Sequence, residues 1–290
     1  SEDINGYSKD KNNVYIEIQK IEGADPKTFE KIKDTLYYFK DKNNLYYRGT
    51  KIDEIKNNVK IMTAGIIDIV KNGDKFYANG EKIDIEDPET FEIIKNDYYA
   101  NPNKIYAKDS KNIYTIVSIG EKTFSKVIKG VDKNTFEIME NTLYSKDKKN
   151  IYFIGNDVIQ IKEADKNTFT IVEDFFSYDK NNVYFMGKKI NGISSEKFRV
   201  IDIISDFIMI ETFFLLADSK NLYKFIYTVD YETYEIKSTK LIVVENIKVD
   251  TPSFESIKKT FTGNYYRDKN SVFYYEEFGK NKLRKIEGAD

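Results

Sequence analysis

Apolar and polar positions alternate in short bursts along this chain, and no burst runs long enough to make a helix. Val14, Ile16 and Ile18 alternate with Tyr15 and Glu17, and the same beat returns throughout the sequence. A period of two predicts strands. Ahead of the alternating runs lie apolar, aromatic patches such as Tyr37-Tyr38-Phe39, Tyr98-Tyr99-Ala100 and Phe175-Phe176-Ser177, separated from them by Asp and Asn. That pairing predicts a hairpin, because Asp accepts from backbone amides two residues on and Asn tolerates the left-handed region. A second turn is expected at Gly49, Gly80, Gly155 or Gly187, with a short Lys-x-Ile strand closing a meander. Asp25-Pro26-Lys27-Thr28-Phe29 then places Asp as an N-cap and Pro at the first helical position, which predicts one helical turn feeding the next strand. β-Branched and aromatic residues beyond it argue against a longer helix.

The beat is a repeat. Asp-Lys-Asn-Asn-Val-Tyr at residues 10–15 has close copies at 41–46 (DKNNLY), 109–114 (DSKNIY), 147–152 (DKKNIY), 179–184 (DKNNVY) and 218–223 (DSKNLY), and looser ones at 74–77 (DKFY) and 268–273 (DKNSVF). The anchoring aromatic therefore falls at 15, 46, 77, 114, 152, 184, 223 and 273, with spacings of 31, 31, 37, 38, 32, 39 and 50. A second element recurs around Phe29, Phe91 and Phe198, and more loosely around Phe136, Phe169 and Phe254. Eight units tile the chain as one repeat domain, approximately 1–28, 29–60, 61–90, 91–135, 136–168, 169–197, 198–253 and 254–290. Two elements in fixed order, Asp-Lys-Asn-x-hydrophobic-Tyr and Ala-Asp-Pro-Lys-Thr-Phe, resemble the bacterial DKNYY repeat family over essentially the whole chain. The resemblance implies a variable copy number and no assigned activity, and it brings no catalytic residues. Units two, three and eight depart from the pattern, and unit two lacks the Thr-Phe element.

The faces of the central strand decide the architecture. One face carries Val14, Leu45, Ile113, Ile151, Val183, Leu222 and Val272, and the other carries the anchor aromatics with Ile116, Ile154, Met186 and Phe225 two residues on. A sheet with one wet face would be polar there, so both faces are expected to be covered. The fold class is all-β: tandem β-meander or hairpin repeats with single helical turns, stacked as an open array or solenoid. A closed β-propeller of about eight small blades is the alternative, although the shorter units fall below the usual blade length. The last residues, Ile286-Glu287-Gly288-Ala289-Asp290, copy Ile21-Glu22-Gly23-Ala24-Asp25, so the expectation is either a cut edge or an array that ends in mid-phrase, and the copy favours the open array slightly.

Composition removes whole classes of chemistry. The 290 residues include no His, Cys or Trp, but 23 Tyr and 20 Phe. Histidine acid–base catalysis, thiol nucleophiles, disulfides and the common zinc, haem and iron–sulfur ligand sets are excluded, and no cofactor is expected. A net charge of −2 offers no electrostatic case for nucleic acid. No apolar stretch is long enough for a membrane-spanning helix; residues 203–217, the most apolar, are broken by Asp206 and Glu211 and read as a buried strand. Abundant Lys, Asn, Ile and Tyr point to a bacterium with an AT-rich genome. Absent cysteine fits a reducing compartment or an anaerobe's exported protein.

Several motifs could carry chemistry. Asp10/Asn12, Asp41/Asn43 and Asp179/Asn181 mimic the opening of a calcium loop, but Val and Tyr follow where such a loop needs Gly and further oxygens, so the turn is favoured. The anchor aromatics could form a sugar- or peptide-stacking ladder; their regular spacing favours a spine between units. Aromatics outside that register, Tyr231, Tyr234, Tyr265 and Tyr266, are the candidate partner-binding residues. No signature marks a catalytic carboxylate pair, a Ser–Lys nucleophile or a phosphate loop. Residues 120–130 read as a duplicate of the Thr-Phe element, and 227–249 as an added strand-like segment; such departures often map to binding faces. The expectation is a non-enzymatic interaction or scaffold module, a monomer binding a protein or glycan partner, exported or lipid-anchored at a bacterial surface. The alternative is a cytoplasmic immunity-type inhibitor of a toxin, and a carboxylate-dependent glycan hydrolase stands third.

Overall fold

A computed structural model describes residues 7–63, 65–97, 103–120, 122–139, 142–155, 157–173, 175–205, 212–229, 236–245, 247–260, 263–276 and 282–289. Eight antiparallel sheets follow one another along the chain, at residues 8–20, 30–54, 59–83, 92–127, 137–160, 170–190, 199–243 and 255–285. The first has three strands and each of the others four, joined in simple meander order. Among the described residues the one helical segment is a 3-10 turn, Thr251–Ser253. The protein is therefore all-β, a tandem of small sheets, as the alternation requires. The chain divides into two compact halves, Ser1–Thr142 and Leu143–Asp290.

A lone four-stranded meander cannot bury enough surface to hold itself together, so each face needs a neighbour. Within the halves, the anchor residue points back at the preceding sheet, and the residues on either side of it point forward. Leu45 thus packs with Val70 and Tyr77 of the next sheet. Phe76 and Ala78 meet Ile105, Ala107, Tyr114 and Ile116. Val183 and Phe185 meet Tyr223 and Phe225, and Leu222 meets Phe273 and Tyr275. Both faces of the central strand are buried, as expected: Leu45 and Tyr46, Ile151 and Tyr152, and Val183 and Tyr184 are all at most 3% exposed. The Thr-Phe turn ahead of a sheet inserts its Phe into the same joint; Phe29, for instance, sits 5.5 Å from Phe39 and 5.3 Å from Tyr46, ring centre to ring centre.

Turns at the two ends of the central strand differ. At one end Asp opens a loop of several residues; at the other, Arg48-Gly49, Asn79-Gly80 and Met186-Gly187 close two-residue turns with positive φ at both positions. That is the type I′ geometry whose twist suits a hairpin. A bulge recurs in the first strand of five sheets and sets one extra apolar residue, Met62, Ile94, Val172, Ile201 or Ile257, out of register. Met62, Val172 and Ile201 use it to lean on the core shared with the next sheet.

Two sequence readings are corrected. Residues 203–217 form no single buried strand: Arg199–Ser205 and Thr212–Ala217 are antiparallel neighbours, Ile203 opposite Phe214, and Ile203 is 45% exposed. Residues 206–211, between the two strands, lie outside the described residues. Residues 120–130 do not repeat the Thr-Phe turn; Lys122–Val127 is the fourth strand of its sheet, paired along Ile113–Ile119. There Thr123 and Phe124 continue an alternating strand, with no Asp-Pro ahead of them to start a helical turn.

Candidate functional site

The aspartate that opens each hairpin would be the natural candidate for acid–base or metal chemistry. Its oxygens are already committed. In the second sheet, Asp41 Oδ1 accepts the backbone N–H groups of Asn43 and Asn44, each at 2.7 Å. Its Oδ2 accepts the Tyr46 hydroxyl at 2.7 Å and, at 3.0 Å, the backbone N–H of Asp25 in the preceding linker. Thr28 completes the joint, its Oγ1 accepting the Lys42 N–H at 3.1 Å. One carboxylate thus caps its own turn, tethers the anchor tyrosine and ties down the linker.

The arrangement recurs wherever the sequence supplies the parts. Asp109 holds Lys111, Asn112, Tyr114 and Asp87. Asp179 holds Asn181, Asn182, Tyr184 and Asp165, and Asp218 holds Lys220, Asn221, Tyr223 and Ser194. Burial pushes the Asp41, Asp109, Asp179 and Asp218 carboxyls up, but the converging N–H and O–H donors outweigh it and hold each below its ordinary value. The tyrosines move the other way: burial, then the adjoining carboxylate, pushes Tyr223 up to about 12. A carboxylate kept ionised among saturating donors is a poor proton shuttle and has no free lone pair for a cation. Among the described residues no group of three or more His, Cys, Asp or Glu could hold a metal ion.

One joint substitutes another carboxylate and the last one adds a second beside its own Asp268, which sequence reasoning missed. Asn72 stands five residues ahead of Tyr77 where other units carry Asp, and Gly73-Asp74 makes a tight turn between Asn72 and Lys75. Asp53 of the preceding sheet fills the role, accepting from Tyr77 at 2.8 Å, Asn72 at 2.9 Å and Lys75 at 3.0 Å. In the last joint Asp202 accepts the Tyr266 hydroxyl at 2.7 Å and pairs with Lys259. The missing Asp before Tyr77 was visible in the sequence; its replacement, 24 residues upstream of Tyr77, was not.

The candidate aromatics separate. Tyr231 and Tyr234 lie outside the described residues. Tyr266 is fully buried and bonded to Asp202, so it belongs to the core and presents no ring to a partner. The reason is register: it shares the inward face with Phe273 and Tyr275. Tyr265, one residue earlier, points the opposite way, half-buried with its ring 4.9 Å from that of Tyr274.

The segment expected to add a strand within 227–249 is a strand, but it is the regular fourth strand of its sheet, lengthened, and adds none. Ile236–Val243 is an eight-residue strand at the end of its sheet, paired on one side along Leu222–Val229. Ile236 and Leu241 lean on the core, whereas Lys237, Ser238, Thr239, Lys240, Ile242 and Val243 are exposed. Elsewhere, open grooves lie at the hairpin ends, such as one of about 410 Å³ between residues 111–113 and 127–134.

The family description "DKNYY family" matches residues 7–156, 71–224 and 144–277, which together take in nearly all of the chain. The chain belongs to the DKNYY family. The three matches to DKNYY begin at the first, third and fifth sheets, so the pattern returns in phase every two sheets. No curated protein matches the chain. In this DKNYY protein the residues that recur most faithfully are those that build the joints.

Proposed function

We propose that this DKNYY protein is a non-enzymatic interaction or scaffold module, exported or surface-associated in a bacterium, that holds a protein or glycan partner. The observation that carries the reading is the outer edge of the seventh sheet. Strand Ile236–Val243 offers a long row of backbone groups at the end of its sheet, and Ile242 and Val243 are 36% and 41% exposed. An extended segment of a partner can add to such an edge, with main-chain bonds giving affinity and flanking side chains giving selectivity. The saturated hairpin carboxylates support the non-enzymatic part of the reading, since the repeat's acids are spent on its own backbone.

The test is capture of surface proteins and glycans from a bacterial cell-wall extract on immobilised chain. It compares the native protein with the double variant Ile242→Glu and Val243→Glu. The expected result is a partner retained by the native chain, released chemically intact, and lost by the variant while its circular dichroism is unchanged. Equal capture by the variant would move the site elsewhere, and release of a cleaved partner would make the protein an enzyme.

A further inference from the structure

An Asn-Gly pair is prone to a reaction of its own, because a glycine nitrogen with no side chain beside it can approach the asparagine amide carbon. The sequence holds four such pairs, at 5–6, 72–73, 79–80 and 191–192, of which the first lies outside the described residues. The fold treats the other three differently.

Two are held. Asn72 is fully buried; its Oδ1 accepts the Lys56 N–H at 2.8 Å, and its Nδ2 donates to Asp53 Oδ2 at 2.9 Å and to Glu54 O at 2.8 Å. Asn79 Oδ1 accepts the Asp68 N–H at 2.8 Å, and its Nδ2 donates to Ile66 O at 3.1 Å. The N–H of Gly80 is taken as well, by Tyr38 Oη at 2.7 Å. In both pairs the amide carbon cannot swing onto the next nitrogen until those bonds open.

Asn191-Gly192 is open. Both residues are exposed, and among the described residues neither the Asn191 side chain nor the Gly192 N–H has a hydrogen-bond partner. Where a Cβ of residue 192 would stand, the nearest atom is Leu241 Cδ2 at 3.8 Å. The pair lies in the linker between the sixth and seventh sheets, at the place that Glu22-Gly23 takes in the first linker. On either side of it, Ile190 and Ile193 pack on the core those two sheets share, and Ser194 gives its N–H to Asp218 Oδ2 at 3.1 Å.

We propose that Asn191-Gly192 is a spontaneous modification site which the fold leaves open, and that its deamidation and isomerisation loosen the joint between the sixth and seventh sheets. The Gly192 nitrogen, giving its proton to solvent base, bonds to Asn191 Cγ, and the Cγ–Nδ2 bond breaks to release ammonia. Water then opens the cyclic imide. Addition at Cγ yields aspartate. Addition at the main-chain carbonyl yields isoaspartate, whose main chain runs through Cβ and Cγ and is longer by a carbon. Ile190 and Ile193 are both seated in the core, so the longer path displaces one of them and slackens the Ser194 tie to Asp218.

The test ages the full chain in mildly alkaline buffer, then digests it and weighs each Asn-Gly peptide. Residue 191 is expected to gain about 1 Da, in part as isoaspartate. It should do so at least about tenfold faster than residues 72 and 79, whose bonds must first open. In urea the three rates should converge. Aged chain should melt about 2 °C or more below fresh chain, whereas aged Asn191→Gln and fresh Asn191→Asp should keep the fresh midpoint. The proposal is overturned if residue 72 or 79 reacts as fast as 191 in the folded chain, or if the order of rates survives in urea. It is overturned too if the aged chain melts with fresh Asn191→Asp, since the longer main chain would then cost the joint nothing.

Discussion

A buried carboxylate is costly unless its lone pairs are filled, and Asp179 fills them from three pieces of chain: its own turn, the tyrosine five residues on, and Asp165 in the linker. Tyr184→Phe removes one donor and leaves the others in place, so it should cost about 1–2 kcal/mol in a urea titration. Asp179→Ala orphans three backbone N–H groups together with the Tyr184 hydroxyl and should cost about 3–5 kcal/mol. Comparable losses for the two variants would mean that the carboxylate is not the hub. The eighth sheet already carries the milder change: Phe273 replaces the tyrosine, while Asp268 still accepts from Asn270 and Asp250.

At the scale of the element, the tight turns are held by backbone geometry and by close approach between sheets. Gly187 has φ of 74°, and a Cβ there would lie 2.7 Å from Phe153 Cβ and 3.3 Å from Ile159 Cβ in the neighbouring sheet. Gly192 has φ of 87°, with Leu241 Cδ2 at 3.8 Å its nearest neighbour. Gly187→Ala should therefore destabilise by about 3 kcal/mol or more and Gly192→Ala by about 1 kcal/mol, read from thermal melts. Much at this scale was legible in the sequence. Asp-Lys-Asn and Gly punctuate locally, and two-residue alternation assigns faces without knowledge of neighbours. The bulges were not legible, because Ile93-Ile94 and Val200-Ile201 read as continuous strand until the partner's register is known. The split of residues 203–217 was hidden for a related reason: apolar residues fill both strands, and no Gly or Pro stands in the sequence between them. Of the candidate aromatics, Tyr265 and Tyr266 could not be told apart by composition, since one residue of register sends one outward and the other into the core.

For the whole molecule, the joints set the response to pH. Asp41, Asp109, Asp179 and Asp218 are held below the 3.8 of a free aspartate, so their contribution is present above about pH 4 and drains away as the pH falls through their folded values. Tyr46, Tyr184 and Tyr223 are pushed above 10.0, so theirs is present below about pH 10 and is lost as the pH climbs. With no histidine to titrate between, the melting temperature should form a plateau from about pH 5 to 9 and fall on both sides. A slope centred near neutrality would contradict this account. The stack also predicts a contrast between bulge residues: Val172→Asp, inside a joint, should cost about 3–5 kcal/mol, and Ile257→Asp, at a residue 48% exposed, less than about 1 kcal/mol.

Sharing one carboxylate between a hairpin and the linker ahead of it has a genetic consequence. The linker and the sheet it leads into travel as one cassette carrying both halves of their own latch. Unequal crossing-over between two copies, at any matching phase, therefore yields a longer or shorter gene whose every seam is already solved. Copy number can drift by whole cassettes while each seam keeps its fit, and a seam that lost its own acid, as at Tyr77, survives where a neighbour such as Asp53 lends one.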